Sequence, residues 1–138
     1  MTQNMNGTAL GLVLVGAMLV GTACDAPRGA HAAPGGSVQG LPDRDVALAR
    51  RLIAEGAVVI DTRSEGEWEG GHHAKAHLLP VGEIDARMGD VAAWTGGKKD
   101  TPIVLYCASG RRASVVKQRL LAAGYTQVTN VGGWSDLR

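Results

Sequence analysis

Apolar runs bounded by glycine alternate along the chain with amphipathic stretches, the pattern of a β-α-β protein built on a parallel sheet. Ala57-Val58-Val59-Ile60 and Pro102 to Tyr106 are short and continuously apolar, so they read as buried strands. His77-Leu78-Leu79, ahead of Pro80, and Gln127 to Val131 read as two more. Asp43 is placed to cap a helix that carries Val46, Ala49, Leu52 and Ile53 on one face, with Gly56 as its stop. Ser64-Glu65-Gly66-Glu67 has the capping-box spacing, which predicts a short helix holding Trp68 and ended by Gly70 and Gly71. Glu83 to Met88 and Val91 to Trp94 read as helical pieces, and Gly96 to Asp100 as an exposed turn. Ala113, Val116, Leu120 and Ala123 recur at near-helical spacing before Gly124.

The first residues break this pattern. From Thr8 to Ala23 the chain is free of charge and rich in Leu, Val, Ala and Gly. At about 16 residues the run falls short of the roughly 20 that span a bilayer and matches the apolar region of a secretory signal. Two processing sites compete. Leu19-Val20-Gly21-Thr22-Ala23-Cys24 resembles a bacterial lipobox, which would leave Cys24 lipidated at the mature N-terminus, while Ala30-His31-Ala32 is a small-x-small site. An uncleaved anchor is the third reading. The expected organisation is a leader over 1–23 (or cleavage near 32), a Pro, Gly and Ala-rich linker over 24–37, and one domain over 38–138. The leader points to an exported protein, periplasmic or held at the membrane only through its N-terminus.

Composition narrows the class. With 138 residues, one domain is expected. The 14 Lys and Arg against 13 Asp and Glu give a net charge of +1, which removes the basic footprint of a nucleic-acid binder. Two cysteines without a C-x-x-C pair make neither a disulfide framework nor a zinc ribbon. The 20 glycines and the absence of Phe require a core built from Val, Leu, Ile and Ala.

Cys107 stands where a buried strand stops, and Ala108-Ser109-Gly110-Arg111-Arg112 leads at once into a helix. In an open parallel sheet, ligands bind beyond the carboxyl ends of the strands. A short loop there can turn its N–H groups inward as an anion nest, and the positive end of the helix dipole adds to the field. A thiol at its centre is expected to have a lowered pKa and to be an accessible thiolate. Gly110 supplies freedom to curl, and Arg111 or Arg112 supplies planar donors for an oxyanion. Asp61 and Arg63 follow a strand to the same end of the sheet, as a supporting ion pair or as substrate contacts.

The six residues from Cys107 to Arg112 resemble the C-x-x-G-x-R active-site loop of the rhodanese domain, the thiosulfate sulfurtransferases. Val58-Val59-Ile60-Asp61-Thr62-Arg63 is similar to that family's strand ending in D-x-R, and Glu67-Trp68 to its E-[FWY]. Gly71-His72, Pro80 and Gly132-Gly133-Trp134 stand where its G-H, I-P and G-G-W do. The single-domain form looks like the phage-shock type of periplasmic rhodanese. The resemblance implies a rhodanese-like α/β fold, a small parallel β-sheet flanked by helices on both faces. It implies that Cys107 takes the outer sulfur of a small donor such as thiosulfate and passes it to cyanide, a small thiol or a thiol protein. Residues 108–112 would bind the substrate, and no metal or organic cofactor is implied.

Three departures stand out. The family's G-H-I-x-G-A-x-N-I-P reads here as Gly71-His72-His73-Ala74-Lys75-Ala76-His77-Leu78-Leu79-Pro80, so a different local turn is expected. Lys75 replaces a glycine. The chain stops at Arg138, soon after Gly-Gly-Trp, and a frayed last turn is expected. Two other classes compete: a non-catalytic persulfide carrier or thiol-protein binding module, and a cysteine phosphatase or arsenate reductase. The latter needs its Arg one position later, where this chain has Ala113. His73 and His77 are four apart, but Gly70-Gly71 and Pro80 argue against a shared helix, so no metal site is expected. Trp94 and Trp134 read as core.

Overall fold

The computed structural model describes residues 39–138; the leader over 1–23, Cys24 and the linker over 24–37 lie outside the described residues. The four apolar runs become strands: Val58–Asp61 (β1), Ala76–Leu78 (β2), Ile103–Cys107 (β3) and Val128–Gly133 (β4). All pair in parallel, in the order β2-β1-β3-β4. Side chains alternate across a sheet with period two, and here both faces find apolar cover. Val58, Ile60, Ile103, Leu105 and Cys107 face one layer, with α3 (Met88–Trp94) and α4 (Arg111–Ala122). Val59, Val104, Tyr106 and Val131 face the other, with α1 (Val46–Ala54) and α5 (Trp134–Leu137). That two-sided burial explains why β1 and β3 read as unbroken apolar runs.

A register shift lies in β4: Leu105 pairs with Asn130, but Tyr106 pairs with Gly132, so Val131 is an extra residue. Bulges of this kind re-aim side chains at the rim of a sheet. Asn130 is one of the residues it aims.

Several local expectations need correction. The cap of α1 is Asp45, whose side chain accepts from the Leu48 N–H, and not Asp43. Asp43 instead accepts from the Asn130 N–H at 2.9 Å and pairs with Lys117. The capping box forms as read, with Ser64 and Glu67 bridged both ways at the start of α2 (Glu65–Glu69). Of the two helical pieces expected over 83–94, the first is a 3-10 turn at Val81–Glu83 and the second is α3. The last turn is tied down: Leu137 is buried, and Arg50 donates to the Arg138 carbonyl at 2.9 Å. No helix among the described residues is long and apolar enough to cross a membrane.

Candidate active site

β3 ends at Cys107, and α4 begins at Arg111, so residues 108–110 form the whole connection. Gly110 takes φ +88°, which a side chain rarely adopts. This turn brings the Gly110 N–H to 3.0 Å from the Cys107 sulfur. Burial pushes the Cys107 thiol pKa up, yet the backbone N–H groups of Ala113, Ser109, Arg112 and Gly110 pull it down by more, so it sits below its ordinary value. Cys107 is 0% exposed in the resting structure, where the sequence led to an exposed thiolate. It is still a strand residue, and the alternation that buries Ile103 and Leu105 buries it too. Ala108 and Ser109, which follow it, are exposed.

The loop's carbonyls are held on its outer side. The Gly110 carbonyl accepts from the Ser114 N–H (2.9 Å), the Ser114 hydroxyl (3.0 Å) and the Asn130 amide (2.9 Å). The Ser109 carbonyl accepts from the Arg44 guanidinium at 3.2 Å. The Ala108 carbonyl lies against Gly133, where a Cβ would stand 2.8 Å from the oxygen, so only glycine lets the loop settle on the end of β4. In a trans peptide the carbonyl and the following N–H point in opposite directions. Carbonyls drawn outward therefore turn N–H groups inward, where they stabilise negative charge.

Arg112 and Arg111 part company. Arg112 makes a two-pronged bond to Glu67, Nη1 to Oε2 at 2.6 Å and Nη2 to Oε1 at 2.8 Å. The Glu67 bond raises the Arg112 pKa, and the same pairing lowers that of Glu67 to about 2. A cation at a helix start opposes the dipole, and α2 supplies the carboxylate that offsets it. Arg111 is exposed.

Asp61 and Arg63 form a closed unit at the end of β1. Arg63 Nε reaches both Asp61 oxygens at 3.0 Å, and Nη2 reaches Oδ2 at 2.7 Å and the Gly71 carbonyl at 2.7 Å. The Asp61 and Arg63 side chains are 0% and 8% exposed. The guanidinium lies over the rings of Tyr106 and Trp134 at 5.6 and 5.8 Å. Tyr106, whose pKa burial drives upward, accepts from the His73 N–H at 3.1 Å. The pair thus anchors the 71–73 turn.

The histidines are engaged elsewhere. His72 stacks on Trp68 at 3.5 Å and His77 on Trp94 at 4.3 Å, and no metal-binding group of three side chains occurs among the described residues. Trp94 and Trp134 are partly buried against the two core layers.

The sequence profile of the Rhodanese-like domain matches residues 45–138. The chain belongs to the rhodanese-like family. Thiosulfate sulfurtransferase PspE of Escherichia coli is 33% identical over 78 residues, which span 56% of this chain and 71% of that protein. YqhL of Bacillus subtilis is 31% identical over 77 residues, and the chain covers 56% of its length. A rhodanese from E. coli solved with anions matches at 28% identity and a TM-score of 0.52, over 59% of this chain and 91% of that one. A human single-domain sulfurtransferase, 24% identical, shares the fold with a TM-score of 0.58 over 71% of this chain and 94% of its own. Family membership and the likeness to the E. coli thiosulfate sulfurtransferase support sulfur transfer as the general chemistry of this rhodanese domain.

Reading the sequence alone missed three residues of this site. Glu67 carries a cap signal, but its bond to Arg112 joins residues 45 apart. Asn130 had a usable signal, since a polar side chain inside an apolar strand needs a partner. Arg44 had none.

Proposed function

We propose that this rhodanese moves sulfane sulfur from thiosulfate to cyanide or a thiol through a persulfide on Cys107. The reading is supported above all by the Gly110 N–H lying 3.0 Å from a thiol at the end of a central strand. Residues 108–112 form the binding loop in this proposal, Asp61 and Arg63 hold its rim, and Arg112 meets the sulfonate charge of the donor. The Cys107 thiolate attacks the outer sulfur of thiosulfate; a new S–S bond forms, and the bond to the sulfonate sulfur breaks, releasing sulfite with the electron pair. The terminal sulfur of the persulfide then carries the negative charge, within reach of inward N–H groups. Cyanide attacks that sulfur and leaves as thiocyanate, or a thiolate leaves as a new persulfide, and Cys107 regains its electron pair. No oxidant or reductant is needed.

Cys107→Ser is expected to abolish thiocyanate formation, because an alcohol near neutral pH does not replace a thiolate. Turnover near that of the wild type would sink the assignment. Aryl-phosphate hydrolysis would favour the phosphatase class, and a stable adduct one sulfur atom heavier without turnover would favour a carrier. The same mass spectrum of the mature chain tests the proposed export, through the position of its N-terminus and the presence of lipid on Cys24.

A further inference from the structure

The segment before α1 runs as an arm along β4. Thr129 donates its hydroxyl to the Pro42 carbonyl at 2.6 Å, the Asn130 N–H donates to Asp43 at 2.9 Å, and the Arg44 N–H donates to the Asn130 carbonyl at 2.8 Å. Lys117 of α4 donates to the Leu41 carbonyl at 2.7 Å and pairs with Asp43. Within this arm Arg44 takes φ +60°, the only non-glycine residue among those described with a positive φ. A conformation of this kind persists when the surroundings over-determine it and is a reason to ask what it positions. What it positions is a guanidinium. Arg44 Nη2 reaches the Ser109 carbonyl at 3.2 Å, and its two terminal nitrogens lie 3.4 and 3.6 Å from where side chains would begin on Gly110 and Gly132.

The peptide it grips is the one that matters for the thiol. The Ser109 carbonyl and the Gly110 N–H belong to one trans peptide unit, and that N–H is the donor 3.0 Å from the Cys107 sulfur. Pulling the carbonyl outward turns the N–H inward. We propose that Arg44 is a positioning residue for Cys107: it holds the Ser109–Gly110 peptide from outside, so that the Gly110 N–H stays directed at the reacting sulfur. Asn130 and Ser114 hold the next peptide through the Gly110 carbonyl, and the Ser109 carbonyl is left to Arg44. Arg44 lies one residue outside the segment that matches the family, 45–138. The inference rests on Cys107 as the nucleophile of the proposed function.

Other charged groups surround the loop: Arg111 and Arg112 from α4, Glu67 from α2 through Arg112, and Asp136 of α5, which accepts the Gly133 N–H. Asp43 lies on the arm itself, and the Asp61–Arg63 pair closes the end of β1. None of these changes in a variant at position 44.

The test uses the full chain with Arg44→Gly and Arg44→Lys. Glycine prefers the positive φ, so Arg44→Gly is expected to keep or raise the unfolding temperature while losing the grip. The rate of Cys107 alkylation by iodoacetamide, followed against pH, reads the thiolate directly and needs no sulfur transfer. In Arg44→Gly its midpoint is expected to rise and the rate near neutral pH to fall about 2- to 10-fold, the size that one net hydrogen bond carries. Arg44→Lys, which keeps a donor on a flexible stem, is expected to recover part of the loss. A purely electrostatic role would vanish in molar salt, whereas the positioning role persists there. An unchanged midpoint in Arg44→Gly, or a shift that molar salt erases, overturns the proposal. A wild type that shows the alkylation difference but transfers no sulfur overturns the proposed function and leaves this inference standing.

Discussion

Two arginine–carboxylate pairs stand at the carboxyl end of the sheet, and they differ in everything except chemistry. Asp61 and Arg63 are two residues apart and 0% and 8% exposed, with every short contact directed inward to the carboxylate or to the Gly71 carbonyl. Glu67 and Arg112 are 45 residues apart on two helices, and their side chains are 36% and 33% exposed. In the first, burial makes the partner irreplaceable, because a lone charge left there has no water to turn to. In the second, solvent reaches the pair, and the proposed function has an incoming anion take the place of Glu67 on the guanidinium. One pair is therefore closed at the end of β1, and the other is open to solvent.

The largest effect is expected from breaking the closed pair. Asp61→Ala leaves Arg63 buried and uncompensated and should destabilise the fold by about 3–5 kcal/mol. Urea unfolding measures this, and amide exchange should show the 71–73 turn opening first. Replacing both partners with apolar residues of similar volume, Asp61→Leu with Arg63→Met, should recover much of the loss. A loss below about 1 kcal/mol in the single variant would place the pair with exposed ones.

The open pair should behave in the opposite way, with a small effect on stability and a larger one on activity. Charge-assisted bonds to an oxyanion contribute about 1.5–3 kcal/mol, so Arg112→Ala is expected to lower kcat/KM for thiosulfate by about 10- to 150-fold. Arg111→Ala should lower it by less, since Arg111 points to solvent at the start of α4. The reverse order would assign the anion to Arg111 and leave Arg112 as a tether for α2.

The same contrast decides what could be read from the sequence. The capping box, the Asp61-x-Arg63 spacing and the Cys107–Arg112 loop are local, so residue type and interval were enough to find them. The strands β1 and β3 were legible because burial on both faces forbids polar interruption. Glu67 with Arg112 and Arg44 with Ser109 are tertiary contacts, and no interval encodes them. The cap of α1 was misplaced by two residues because two aspartates precede the helix and only the pull of Lys117 and Asn130 on Asp43 separates them. The burial of Cys107 is not legible because the apolar run ends at Tyr106, whereas the strand continues through Cys107.

The smallest effect concerns pH and the Glu67 carboxylate. Arg112 holds its pKa at about 2, below the ordinary value of 4.5. A carboxylate whose pKa is lowered on folding adds stability that is fully present above its unfolded value and is lost as pH falls through its folded value. The stability difference between wild type and Arg112→Ala should therefore be flat from neutral pH to about pH 5, then shrink between about 4.5 and about 2. Because both side chains are about one third exposed, solvent and salt screen the pair, and the whole difference should stay at or below about 1 kcal/mol. Carbon-detected NMR of the Glu67 carboxyl reads the group directly: a midpoint of about 2 is expected in the wild type, moving back toward 4.5 in Arg112→Ala. A wild-type midpoint already near the ordinary value would mean that solvent dominates this pair and that Arg112 is free for an anion at no expense to α2. The contrast with Asp61 and Arg63 would then be one of presence against absence rather than of strength.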